Sequence, residues 1–370
     1  MRDAVRERER ESAEIVRQLQ QRGEVSLARI EPVSSQELQR SLGEDTALVE
    51  YFSLDGKLLA FVVTNEAVEV VRDFATEEEV GARLERLHYQ INSLRFGSRE
   101  VRKHLEQLAG RTRHHLGALY DLLLRPIEHR IGGRRFAVVP HRALHYVPFH
   151  ALHDGASYVI ERREVIYAPS ATVLNHCLAS PRRDIRRALL LGVPDEHAPR
   201  VRDEVVALAP MFAESVALLD EDATLANLLA RAPSADVLHM ACHGQFRSDN
   251  PLFSSLKMSD GWLTVRDAYG LDLNCELVTL SACETGMSAI APGDEMIGLA
   301  RGFFSAGAPS LLMTLWTVDD EQTSVFMSSF YSSLLEGQRP ASALRYAQRE
   351  MIESQLHPYF WSPFILLGRW

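Results

Sequence analysis

Apolar and polar positions change period several times along the 370 residues. Met1 to Arg22 is crowded with Arg, Glu and Gln, and only Ala4, Ile15, Val16 and Leu19 form a thin apolar stripe. Glu and Arg recur three or four apart, which sets them face to face on a helix surface, so the segment predicts a helix ended by Gly23. A helix with so little to bury either packs on a partner, as the last helix of an upstream helical array would, or stands solvated. The period then shortens. Thr46 to Ser53, Lys57 to Thr64 and Ala67 to Val71 are runs rich in Val, Phe, Tyr and Leu, divided by Asp55-Gly56 and Asn65-Glu66. Asp-Gly between apolar runs favours the mirror-image turn of a β-hairpin.

Helical spacing returns from Thr76 to Arg95, with Leu84, Leu87, Ile91 and Leu94 on one side, and from Ser98 to Arg130, where Gly132-Gly133 breaks it. Phe136 to Val139 predicts a strand stopped by Pro140, and Tyr158 to Ile160 with Glu164 to Tyr167 predict a strand pair. Pro181 to Arg187 is polar and basic and reads as a linker between two halves.

Beyond the linker the pattern is regular. Strands are predicted over Ala188 to Val193, Ser215 to Leu219, Asp236 to Cys242, Leu277 to Ala282, Ser310 to Trp316 and Phe364 to Leu367. Helices are predicted over Arg202 to Phe212, Thr224 to Arg231, Asp294 to Ala306, Glu321 to Glu336 and Pro340 to Ile352. Continuous apolar strands alternating with helices indicate an α/β fold whose mostly parallel sheet is covered on both faces. Trp361 to Leu367 reads as a closing edge strand packed by aromatics.

Charge narrows the partners. Lys and Arg number 40 against 50 Asp and Glu, a formal net charge of −10, which disfavours nucleic acid as the main partner. Four cysteines, Cys177, Cys242, Cys275 and Cys283, form no C-x-x-C pair and no dense framework, which points to a reducing compartment, the cytoplasm. No run approaches the ~20 apolar residues of a membrane span, so no membrane association is expected.

In an open parallel sheet the site lies beyond the carboxyl ends of the strands. His243-Gly244 follows one predicted strand there and Cys283 another, with Glu284-Thr285-Gly286 next. On neighbouring strands they meet the need of a thiol nucleophile and its base. Gly244, without a side chain, lets its N–H approach a substrate, and the N–H of Cys283 supplies a second oxyanion donor. The plainer alternative is a buried, inert thiol and a structural histidine. His239, Cys242 and His243 lie close together, but strand alternation points Cys242 away from His243 and no second ligand pair has zinc spacing, so no metal is expected. His141, His145, His150 and His153 cluster about Pro148 and suit structural or surface roles. Neither a P-loop nor a G-x-S-x-G elbow occurs.

Several ordered stretches resemble the CHAT domain, a caspase-like family that often follows tetratricopeptide repeats. They are H-M-A-C-H-G (His239 to Gly244), L-S-A-C-E-T-G (Leu280 to Gly286), G-D-E-M-I-G-L (Gly293 to Leu299), A-G-A (Ala306 to Ala308) and L-W-T-V-D-D (Leu315 to Asp320). V-P-F-H-A-L (Val147 to Leu152), Y-A-P-S (Tyr167 to Ser170) and L-L-G-V-P (Leu190 to Pro194) fit as well, so the resemblance covers roughly Leu42 to Trp370.

The resemblance implies a caspase–haemoglobinase-like three-layer sandwich, and through separase a degenerate pseudo-caspase half that supports an active one. The divisions expected are 1–40 as an N-terminal helical segment, 41–180 as the supporting half and 181–370 as the peptidase half. It also implies a cysteine endopeptidase acting on a protein or peptide substrate without cofactor, with His243 and Cys283 as the dyad. By likeness to separase, Asp320 after L-W-x-V, with Asp319 and Trp316 beside it, would select a basic residue before the cleaved bond. Asp319 and Asp320 also suit the cap of the helix that follows. Asp294 and Glu295 are candidates of the same type. Ser281-Ala282-Cys283-Glu284-Thr285-Gly286 departs from the caspase pattern Gln-Ala-Cys-x-Gly, so specificity for Asp is not expected. The rival expectation is a caspase-like scaffold, latent or inactive, that binds a protein partner. A regulatory partner would dock through the N-terminal helix.

Overall fold

The computed structural model describes residues 32–95, 105–195, 200–245, 254–284, 294–316 and 320–370. The predicted helix over Met1 to Arg22, the start of the one over Ser98 to Arg130, and Asp319 lie outside the described residues. The chain opens with α1 (Ser35–Leu42), β1 (Thr46–Leu54), β2 (Lys57–Val63), β3 (Val68–Thr76), α2 (Glu77–Arg95), α3 (Leu105–Leu123) and α4 (Glu128–Ile131). It continues through β4 (Arg135–Val139), α5 (Val159–Arg162), β5 (Val165–Tyr167) and α6 (Ala171–Ala179).

Next come β6 (Arg187–Gly192), α7 (Val201–Leu208), β7 (Glu214–Leu219), α8 (Leu225–Arg231), β8 (Val237–Gln245), β9 (Ser255–Met258), β10 (Gly261–Thr264) and α9 (Val265–Tyr269). The chain then forms β11 (Leu277–Glu284), α10 (Asp294–Ser305), β12 (Ser310–Thr314), α11 (Asp320–Leu335), α12 (Pro340–Glu353), α13 (Pro358–Trp361) and β13 (Phe364–Gly368). No described helix is long and apolar enough to cross a membrane.

Local chemistry sets these elements. Asp55 and Gly56 both take positive φ, 52° and 75°, so β1 and β2 close on the mirror-image turn that matches strand twist. Ser34 caps α1 through a reciprocal box with Glu37, and Thr76 caps α2 in the same way with Glu79. Val159 and Ile160 form the helical turn α5 rather than the predicted strand. The Glu161 carboxylate accepts the Tyr158 N–H at 2.7 Å, and Arg345 of α12 donates to the carbonyls of Ile160 and Glu161 at 2.8 and 2.6 Å. These contacts close a turn that β-branched residues would not favour by themselves.

The thirteen described strands share one sheet. β7, β6, β8, β11 and β12 are parallel to one another, and so are β1, β4 and β5. β13 pairs antiparallel with β12 and parallel with β5, so the two blocks run in opposite directions and meet on it. This corrects the expectation of a closing edge strand: β13 is central and every residue in it is buried. Phe364 stacks on Phe326 of α11 with ring centroids 3.7 Å apart, and the buried Gln348 donates to the carbonyls of Trp361 and Phe364. Residues of both pleat phases are buried along β8, so helices cover both faces, and one contiguous apolar core runs through both blocks.

Candidate active site

β8 and β11 are neighbours, paired in parallel over eight positions from Val237–Leu277 to Gly244–Glu284. Within that ladder Cys283 is the register partner of His243. Adjacent strands lie about 4.8 Å apart, and register partners share a pleat phase, so the two positions stand side by side on the sheet. Both strands run further than expected, to Gln245 and Glu284, so His243, Gly244 and Cys283 belong to the ends of strands rather than to loops beyond them. The reason is β9. β6 pairs with β8 only as far as Ala241, and β9 then takes the same side through Gly244–Leu256 and Gln245–Ser255, prolonging the ladder.

Below the pair lies a buried polar network that sequence reasoning did not assemble. His239, one row of the pleat below Ala241, is fully buried (0% exposed). Its Nδ1 is 3.1 Å from the Tyr331 hydroxyl of α11, which donates to Thr279 Oγ1 at 2.7 Å. Its Nε2 lies 3.1 Å from Oε1 of Glu204 in α7, close enough for an ion pair but off the angle of a hydrogen bond. Ser281 Oγ, two residues before Cys283, donates to Glu204 Oε2 at 3.2 Å. Burial holds the Tyr331 phenol far above its ordinary range. The network ties α7 and α11 to β8 and β11 just under positions 243 and 283. Of the buried Glu204 carboxylate, Oε2 is met by a hydrogen bond and Oε1 by the proximity of the His239 ring alone.

The hairpin β9–β10 carries a second residue the sequence did not single out. Trp262 sets its ring 6.3 Å from that of His243 at 70°, an edge-to-face arrangement, and stays 43% exposed. Lys257, its partner across the hairpin, lies 3.3 Å from Asp195.

The residues proposed to receive a substrate side chain are placed differently. Trp316 is 4% exposed, with its indole N–H donating to the Tyr359 carbonyl at 3.1 Å and its ring near His88. It packs the chain leaving β12 into the core. Asp320 is the first residue of α11, and Asp294 the first of α10. Of the upstream histidines, His145 is half-buried and His150 buried, and burial pushes each down to about 3, with Arg301 and His141 adding to the effect on His145. His153 is half-buried against Tyr158.

The fold resembles that of part of separase. Over 90% of this chain it superposes on Saccharomyces cerevisiae separase in two separase–securin complexes, with TM-scores of 0.62 and 0.61 and sequence identities of 11% and 12%. The aligned part is 30% and 31% of the separase chains. In sequence the chain is similar to tetratricopeptide repeat protein 28 of Mus musculus and of Homo sapiens, 26% identical to each over 322 residues. The match takes in 68% of this chain but spans only 13% of those proteins. The CHAT domain family matches residues 113–369, more than half of the chain, and includes β8, β11 and both positions of the candidate pair. The chain belongs to the CHAT domain family.

Proposed function

We propose that the protein is a cysteine endopeptidase that hydrolyses peptide bonds through Cys283 and His243. The observation that carries the reading is the register of Cys283 with His243 across adjacent parallel strands, at the carboxyl ends where such sheets place their chemistry. His243 takes the thiol proton, and the thiolate of Cys283 attacks the substrate carbonyl. The N–H groups of Gly244 and Cys283 receive the oxyanion. As the C–N bond breaks, His243 returns the proton to the leaving amine, and a thioester remains on Cys283. Water, losing a proton to His243, attacks the thioester, releases the acid and restores the thiol.

Asp320, assisted by Asp319, is proposed to favour a basic residue before the cleaved bond through charge-assisted hydrogen bonds. Four cysteines without a C-x-x-C pair or a dense disulfide framework favour a reducing compartment, and on that ground we propose that the protein is cytoplasmic. The test is cleavage of a diverse peptide library by the wild type and by Cys283→Ala, read by mass spectrometry. Cuts should vanish in the variant, and Lys or Arg should precede them. A library left uncut by the wild type would instead assign the chain the part of a scaffold or latent protease awaiting a protein partner.

A further inference from the structure

We propose that Trp262 forms the subsite for the side chain on the carboxyl side of the cleaved bond, and that this subsite selects a large apolar or aromatic residue. The inference rests on the peptidase reading, with His243 as the acid that protonates the leaving amine. An acid must come within about 2.6–3.2 Å of the nitrogen it protonates, so its imidazole marks the leaving-group side of a cleft. The side chain of the residue after the bond is attached one carbon from that same nitrogen. A group packed against the imidazole therefore faces that side chain.

Trp262 is such a group. Its ring lies 6.3 Å from His243, edge to face. Its hairpin neighbour Leu263 is fully buried, whereas the indole keeps 43% of its surface in water. A Trp offers roughly 150–250 Å² of surface, and covering the exposed part is favourable at about 25 cal/mol per Å². Trp262 is also the exposed large hydrophobic residue that makes a ring contact with His243 among the described residues. β10 stands at one end of the strand order, so no described strand covers its outer side.

Charge beside the indole is balanced. Lys257, opposite Trp262 in the hairpin, is held by Asp195 at 3.3 Å. The lysine next to the ring thus carries a paired charge, and the ring itself is the apolar surface offered to a substrate side chain. Aromatic pairs add about 0.5–1.5 kcal/mol beyond the area they bury, which favours Phe, Tyr and Trp over aliphatic residues of equal size.

The test maps Cys283-dependent cuts in the same peptide library for the wild type, Trp262→Ala and Trp262→Phe, with kcat/KM measured on matched peptides that differ only at the residue after the cut. The wild type should enrich aromatic and large apolar residues there. Trp262→Ala should lose about tenfold in that preference while the residue before the cut keeps its distribution, and Trp262→Phe should retain most of it. If Trp262→Ala fails to fold, judged by its melting transition, Trp262→Gln takes its place against Trp262→Phe. An unchanged distribution after the cut in the Ala or Gln variant overturns this proposal alone. Absence of any Cys283-dependent cutting overturns it together with the peptidase reading.

Discussion

His150 and His357 are buried and His88 and His145 half-buried, and in each the surroundings favour the neutral ring. Burial pushes His88 and His357 down to about 4 and His145 and His150 down to about 3. His357 shows how a neutral ring is kept: Nδ1 accepts the Tyr359 N–H at 3.0 Å, which leaves the proton on Nε2, 3.2 Å from Thr112 Oγ1. The unfolded chain takes up protons at these residues near pH 6.5, and the folded chain does not until it reaches the lower values. Stability is therefore full above about pH 6.5. It falls as the pH drops toward 4 and below, by about 1.4 kcal/mol per pH unit for each such histidine. Melting temperatures recorded from pH 7.5 to 4.5 should decline through this window, and His88→Phe, which keeps a ring against Tyr146 and Trp316, should lessen the slope. A melting temperature that does not change over that range would contradict the assignment. At this scale the sequence singled out His243 and Cys283, because each stands at the end of an apolar run beside a glycine-bearing motif, and the structure sets the two positions in register. It did not reveal Glu204, Tyr331 or Trp262. Their roles come from neighbours 77, 92 and nearly 20 residues away in the chain, which no local pattern encodes.

Among the elements, the exit from β13 is tightly specified. Gly368 has φ +92°, and a Cβ there would stand 2.4 Å from the Pro309 carbonyl oxygen and 2.9 Å from Phe304. Both the left-handed backbone and the close approach demand glycine. Gly368→Ala should cost about 3 kcal/mol, combining roughly 1–2 for the backbone with roughly 1–3 for overpacking, measured as a lowered urea midpoint. A midpoint equal to that of the wild type would show that the β12–β13 seam can shift. Most helices and strands were legible from period alone, since their apolar positions repeat at 3.6 or run continuously. The β9–β10 hairpin was not. Asp260-Gly261 is the same turn signal as Asp55-Gly56, but its strands have four residues each and begin with Ser255 and Gly261, too short and too polar to show a period. Without that hairpin, β8 appeared to stop at Cys242, and the candidate pair seemed to sit on loops.

At the scale of the whole molecule, β13 decides whether there is one sheet or two. It is the strand through which the two oppositely directed blocks join, with five register pairs to β12 and one to β5. A chain ending at Ser362 should lose cooperative unfolding and accumulate insoluble, because β12 and β5 would each present an unpaired apolar edge to water. A soluble truncated protein with the wild-type melting temperature would refute that. The apolar run over Phe364 to Leu367 carried the information needed to place it centrally, since a strand buried on both faces has no polar phase. Its position late in the chain suggested an edge, and chain order does not determine strand order.

The same arrangement has a consequence for biosynthesis. β13 follows the other described strands in the order of translation, so a ribosome delivers both blocks of the sheet, His243 and Cys283 included, before it delivers the strand that joins them. While the chain is still being made, the block that bears the pair has no seam to close on. Until synthesis has passed Gly368 that block would lack the strand that ties it to the rest of the sheet, so interrupted translation would leave behind fragments in which the joined sheet cannot form.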